Sequence, residues 1–411
     1  MYFHNKAIVF IIFVVLTKKN IFILNFENIR AYKDDEYQSV IKKLIEIDVL
    51  MEAIHFYLPE MTIEQIKEKL LSFTAIQQFQ SDMVCLVIDR IVNHSSDGIT
   101  FKGIEELNPN ISNLLISNHR DIVLDSALIN YALNFKKKNT SEIAIGSNLL
   151  SLPWVKDLVR LNKSFIVRRN VPKQEVIEAS KTLSAYINYT LKEKKQDIWI
   201  AQREGRAKDG FDKTTPGLLK MFGMCTDGDL LTHLISLNIT PVAISYEYDP
   251  CDYLKIPELL KKYNGEEYIK APNEDNQHMV LGMKGYKGNI HIHFGEPINN
   301  DILKFKEIKN KNELLKLIAE VIDEKIYQHY HLFPTNYIAY DLLNNKNEFE
   351  NNYTKADKEK FEAYIEKRLE NFKGNDLAKE IFLKMYANPV MNKLRVQNLK
   401  FETQNSNNSK I

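Results

Sequence analysis

The chain has 411 residues, 44% of them hydrophobic and 27% charged, with a formal net charge of +1. That composition supplies a core for one large domain or two ordinary ones, and it excludes a disordered chain and a nucleic-acid binder driven by bulk positive charge. Three widely spaced cysteines (Cys85, Cys225 and Cys251) and the lack of any Cys-x-x-Cys pair argue against a disulfide framework and a structural zinc site, and for a reducing compartment.

Residues 7–16 read AIVFIIFVVL, an apolar run behind Lys6 that ends at Thr17-Lys18-Lys19-Asn20. A bilayer span needs about 20 such residues, and no small-x-small cleavage site follows. Residues 1–33 are therefore expected to be an apolar leader or an interfacial anchor. Residues 34–98 predict a helical N-terminal region: Ile41, Leu44 and Ile45 recur near the helical period, residues 62–71 are amphipathic, and Ile76, Phe79, Met83, Leu86, Val87 and Ile91 continue the pattern. Ser95-Ser96-Asp97-Gly98 then breaks it.

From 99 to 300, short apolar strands alternate with helical stretches. Strands are predicted at 113–117 (NLLIS), 142–145 (EIAI), 164–168 (SFIVR), 197–201 (DIWIA), 241–246 (PVAISY) and 289–294 (NIHIHF). A helix is predicted over about 121–133, and another behind Pro172, where Val176, Ser180, Leu183, Ile187 and Leu191 share a face. The alternation predicts an α/β domain with a largely parallel sheet flanked by helices, and with helical N-terminal and C-terminal additions. Residues 301–400 read as a helical C-terminal region with helices at 314–329 and 361–386 and a polar linker at 344–352; residues 401–411 read as a disordered tail.

Four segments at predicted strand ends carry the polar residues. Ser117-Asn118-His119-Arg120-Asp121-Ile122-Val123-Leu124-Asp125 joins a strand to a helix at the sheet edge where α/β proteins bind ligands. A histidine there, oriented by a carboxylate, can take a proton from an alcohol; the plainer alternative is a loop histidine with Asp121 capping the helix. Phe165-Ile166-Val167-Arg168-Arg169-Asn170 offers two planar guanidiniums suited to a phosphate, or a solvated basic turn. Ala201-Gln202-Arg203-Glu204-Gly205-Arg206-Ala207-Lys208 puts three cations, a glutamate and a glycine in one loop; Gly205 would permit close backbone approach, and a surface ion-pair loop is the alternative. Thr240-Pro241-Val242-Ala243-Ile244 is a proline-led strand that alone reads as structural.

In this order the four segments resemble the glycerolipid acyltransferase superfamily, which includes the glycerol-3-phosphate and lysophosphatidic acid acyltransferases. Its blocks are Asn-His with an Asp a few residues on, Phe-Ile-x-Arg, a Glu-Gly-Thr-Arg-type loop and a Pro-led apolar strand. Here they stand as NHRDIVLD, FIVRR, REGRAK and PVAI, within about 100–300. Three departures stand out. Five residues, where the family usually has four, separate His119 from Asp125; Thr is missing between Gly205 and Arg206; Asn162-Lys163 stand where glycine often precedes Phe-Ile.

The resemblance implies transfer of a fatty acyl group from acyl-CoA or acyl-ACP to a hydroxyl of a glycerol-based phospholipid precursor, with no cofactor and no metal. His119 would deprotonate the acceptor, Asp125 would orient it, and Asp121 is the other candidate carboxylate. Asn118, Arg168, Arg169, Arg203, Glu204, Gly205 and Arg206 would bind substrate. The implied partners are the thioester donor, a lysolipid or glycerol phosphate acceptor, a membrane surface and acyl-carrier protein, with no nucleic acid. The implied location is the cytoplasmic face of the inner membrane. The rival expectations are a lyso amino-acid lipid or other lysophospholipid acceptor, and a lipid-binding protein whose site has decayed. His291 and His293 alternate on one strand and lack nearby partner ligands in the sequence, which argues against a metal.

Overall fold

The computed structural model describes the backbone of residues 13–17 and 20–408, and the side-chain surroundings of 25–398. Strands β1 (Phe13–Thr17) and β2 (Asn20–Leu24) pair antiparallel. Of the predicted leader 1–33, residues 1–12, 18 and 19 lie outside the described residues. Its last part is seated on the domain: Ile29 and Ala31 are buried, and Ile166 N–H donates to Ile29 O at 2.8 Å.

Helices α1 (Asp34–Leu44), α2 (Asp48–Tyr57), α3 (Ile63–Ser72), α4 (Ile76–Phe79) and α5 (Cys85–Ser95) follow. A π-turn over Gln80–Val84 joins the last two. The central region runs β3 (Gly98–Lys102), β4 (Leu114–Ser117), α6 (Leu124–Phe135), β5 (Glu142–Gly146), α7 (Pro153–Leu161), β6 (Ser164–Val167), α8 (Val176–Lys192), β7 (Ile198–Ala201), α9 (Pro216–Phe222), α10 (Leu230–Ser236), β8 (Ile239–Tyr246), α11 (Asp252–Tyr263), α12 (Glu274–Lys284) and β9 (Asn289–Phe294). Then come α13 (Asn299–Leu303), α14 (Lys311–His329), α15 (Pro334–Asn344), α16 (Lys355–Arg368) and α17 (Asp376–Asn408).

Seven strands form one sheet in the order β3-β9-β8-β4-β7-β5-β6, parallel throughout except where β9 runs against β8. The residue pattern explains the positions. All four residues of β4 and the first seven of β8 are buried, as central strands covered on both faces must be. In β9 the burial alternates, with Ile290, Ile292 and Phe294 inward and the two histidines on the other face. Pro241, the predicted first residue of the strand, lies inside β8, two residues beyond its observed start at Ile239. Its ring removes one donor just before the β8–β9 pairing begins at Val242, while Pro241 O still accepts from Gly295 N at 2.8 Å.

One core packs α8, α9, α10 and α14 on one sheet face, and a second packs α5 and α6 on the other. The strands predicted from the sequence are all present. β3 was not predicted, being a short edge strand of mixed burial. The run 361–386 is two helices, because Gly374 takes a left-handed φ of 80° and Asn375 Oδ1 caps the next helix at Ala378 N. The final helix continues through Asn408 into the stretch read as a disordered tail.

Candidate active site

Parallel strands deliver their following loops to one edge, so the segments after β4, β6 and β7 meet there. His119 is in the loop after β4, with a side chain 14% exposed. Its Nδ1 lies 2.7 Å from Asp125 Oδ2. With Nδ1–H donating to a carboxylate, Nε2 is the basic nitrogen. Trp199, whose indole N–H donates to Ser117 Oγ at 2.9 Å, sets its ring edge-on to the imidazole at 5.9 Å between centroids.

Asp125 is fully buried and its carboxylate accepts from four groups. Oδ2 takes His119, Arg120 N at 2.6 Å and Asp121 N at 3.0 Å; Oδ1 takes the Tyr246 hydroxyl at 2.9 Å. Asp121 plays the other part. Its Oδ1 accepts from Val123 N at 2.9 Å and Leu124 N at 2.8 Å, a side-chain turn that delays the helix to Leu124 instead of the predicted 121. Asp125 therefore sits in the first turn of α6, and loop geometry absorbs the extra residue. Burial, and then the neighbouring Asp125, push the Asp121 carboxyl above its usual range.

The expected binding residues separate into three groups. Asn118 is fully buried and joins β4 to β8, accepting from Ile244 N at 2.8 Å and donating to Ile244 O at 2.9 Å. That is a correction: its amide is consumed by the sheet and is not offered to a substrate. Arg168 is half-exposed and pairs with exposed Glu175 at 2.9 Å, which turns it toward the start of α8. Arg169 pairs with exposed Glu204 at 2.8 Å, joining the second and third segments, with Arg203 partly exposed beside Glu204 in the loop. Gly205 has a φ of 71°, the left-handed region glycine favours.

Arg206 is 8% exposed. Its Nη2 donates to His278 Nδ1 at 2.8 Å, and its Nη1 is buried with no hydrogen-bond partner among the described residues. Its loop is tied to the histidine loop by Ala207 N donating to His119 O at 3.1 Å.

Behind the loop, Arg120 forms a buried ion pair with Asp212 at 2.6 Å, and Asp212 also accepts the Tyr330 hydroxyl. Lys255 pairs with Asp249 and donates to Arg120 O at 3.2 Å. A cavity of about 40 Å³, lined by Arg120, Tyr246, Asp249, Tyr330 and His331 among others, has room for a few waters and none for a substrate. None of these supporting residues was expected from the sequence. Tyr246 gave one local signal, a polar ring closing an apolar strand. Among the described residues no cluster of His, Cys, Asp or Glu is arranged to hold a metal ion.

Residues 98–245 match the model of the Acyltransferase family. This segment is an acyltransferase domain. It contains all four motif segments, with His119 and Asp125 in contact. No curated protein matches the chain. Among solved structures, the chain is similar to the 1-acyl-sn-glycerophosphate (LPA) acyltransferase PlsC of Thermotoga maritima, at 12% identity and a TM-score of 0.35, over 71% of this chain and 97% of that one. A likeness that loose carries no argument about activity. The helices α11 and α12, which supply Lys255 and His278, lie outside the matched acyltransferase segment.

Proposed function

We propose that the acyltransferase domain transfers a fatty acyl group from a thioester, acyl-CoA or acyl-ACP, to a hydroxyl of a phosphate-bearing glycerolipid precursor such as 1-acylglycerol 3-phosphate or glycerol 3-phosphate. The observation that carries this reading is the 2.7 Å contact between His119 Nδ1 and a buried carboxylate at the sheet's ligand-binding edge. His119 Nε2 takes the proton from the acceptor hydroxyl as its oxygen attacks the thioester carbonyl. The tetrahedral adduct collapses, the C–S bond breaks, and the proton returns from the imidazolium to the leaving thiolate. Ester and free thiol are the products, and no acyl-enzyme is needed because the thioester is already activated.

Asp125 stabilises the imidazolium and keeps the ring's tautomer. Arg206, with a buried and unpaired donor, is the residue for the acceptor's anionic head; Arg169 and Arg168 stand further out, each facing a glutamate. The intact His119–Asp125 pair counts against the decayed-site alternative. No helix among the described residues is long and apolar enough to cross a membrane, so lipid acceptors would be reached by peripheral contact, at the cytoplasmic face in this reading. The test is transfer by purified protein from labelled acyl-CoA or acyl-ACP to a panel of lysolipids, amino-acid lysolipids and glycerol 3-phosphate. Turnover on no acceptor would remove the proposal.

A further inference from the structure

We infer that His278, on α12, is a positioning residue that aims Arg206 at the acceptor's anionic head; this rests on the proposed reading of Arg206. A guanidinium is a planar fork, and fixing one prong fixes the direction of the rest. Here the fixed prong is the 2.8 Å bond to His278 Nδ1, and the prong left over is the buried Nη1 with no partner among the described residues.

The choice of partner matters. Arg120, Arg168 and Arg169 each face a carboxylate within ion-pair distance, which offsets their charge. Arg206 is held by an imidazole. For Nδ1 to accept from a guanidinium the ring must be neutral, so the bond orients Arg206 without cancelling its charge. His278 is 2% exposed, and burial followed by repulsion from Arg206 pushes its pKa down to about 4. Lys208 and Lys255 add to that repulsion from the β7–α9 loop and from α11, and Glu274 on α12 itself opposes it. Asp121 and Asp249 feel the charge of Arg206 but neither forms an ion pair with it, so a phosphate arriving at Nη1 would meet a guanidinium that no carboxylate has claimed.

The helix that carries His278 is itself closely seated. A Cβ at Gly282, one turn on, would come within 2.1 Å of Asp121 Oδ2, and the Cys251 thiol donates to His278 O at 3.4 Å. Helix α12 thus registers against Asp121, whose N–H holds Asp125, and against Arg206 at once. A helix beyond the matched acyltransferase segment thus contributes to the binding side of the site.

The test uses the full chain and three variants. In His278→Asn the amide oxygen can take the place of Nδ1; in His278→Gln it is displaced by one methylene; in His278→Leu it is gone. Expected is a KM for 1-acylglycerol 3-phosphate raised roughly tenfold in the Leu and Gln variants and within about twofold of wild type in Asn, with kcat and the donor KM little changed, since one charge-assisted hydrogen bond is at stake. If the Leu variant does not fold, the Asn and Gln pair still decides. Equal acceptor KM in Asn and Gln, or a rise in KM that is the same for uncharged monoacylglycerol, overturns the inference and leaves the acyltransfer reading standing. Wild type that shows no preference for the phosphorylated acceptor removes the phosphate reading itself, and the role of His278 with it.

Discussion

The Tyr246 hydroxyl donates to Asp125 Oδ1 at 2.9 Å, on the carboxylate oxygen that His119 does not use. The two residues clamp Asp125 from opposite sides, with Arg120 N and Asp121 N closing the ring of donors. A carboxylate with all its lone-pair directions engaged does not rotate, so it presents one fixed direction to the imidazole.

His119→Ala removes the proposed base from a loop position that contributes little packing. Loss of transfer by about two to four orders of magnitude is expected, with an unchanged circular-dichroism spectrum. Asp125→Asn is expected to cost far more activity than Asp121→Asn, because Asp121 holds the first helical N–H groups and not the histidine. Asp121→Asn still caps, so its unfolding midpoint should fall only slightly. The reverse order of activities would reassign the orienting role.

Tyr246→Phe deletes one of the four donors and keeps the ring. The expected loss is about 1 kcal/mol, roughly fivefold, in kcat with no change in either KM. Unchanged kcat would show that the other three donors suffice.

The alternation of strands with helices was readable because β4, β7 and β8 are apolar runs that only a doubly covered sheet can bury. The helices between 216 and 284 were not read: α9 and α10 have seven residues each, too few to show a periodicity, and α11 carries Pro257 in its interior. His119 and Asp125 were legible as types in a motif. Which carboxylate touches the ring was decided by where the helix begins, and that depended on the Asp121 side chain. His278 left no mark at all: its partner lies 72 residues earlier, and packing alone brings them together.

A pH effect on stability follows from a second group of imidazoles. His293 stacks on His329 at 3.9 Å between centroids, and His291 lies 4.9 Å from His331. Burial first, and then neighbouring imidazoles with Lys102 and Lys393, push His291 and His293 down to about 4. Between an unfolded value near 6.5 and about 4, the unfolded chain binds protons that the folded chain refuses. Stability should therefore fall as pH drops through that window. Asp323, raised by burial to about 7, acts the opposite way and softens the slope. Thermal midpoints from pH 7 to 5 should decline, and the His291→Gln/His293→Gln double variant should decline less. A parallel decline in the variant would place the acid sensitivity elsewhere.

The acceptor's head group gives the sharpest contrast between residues that the sequence made equivalent. Arg168 and Arg206 both follow strands that enter the same sheet edge, yet Arg168 is half-exposed and paired with Glu175, whereas Arg206 is enclosed with a donor to spare. An exposed ion pair is worth about 0–1 kcal/mol, and salt screens it. A charge-assisted hydrogen bond in an enclosed site is worth about 1.5–3 kcal/mol. Arg168→Ala should therefore change the KM for 1-acylglycerol 3-phosphate by less than about fivefold, while Arg206→Ala should reduce use of that acceptor by roughly one to two orders of magnitude. Arg206→Lys should recover only part of the loss, because an ammonium has no planar fork to share between His278 and a phosphate. Attraction here must come from placement, since the chain's net charge is +1 and its overall field is weak. Raising ionic strength should accordingly weaken acceptor binding much less at this buried group than it weakens any contribution from Arg168. Equal effects of the two alanine variants would show that the phosphate is met at the rim. If wild type used uncharged monoacylglycerol as well as its phosphate, both arginines would have to serve something other than the acceptor's head, such as the anionic groups of the thioester donor.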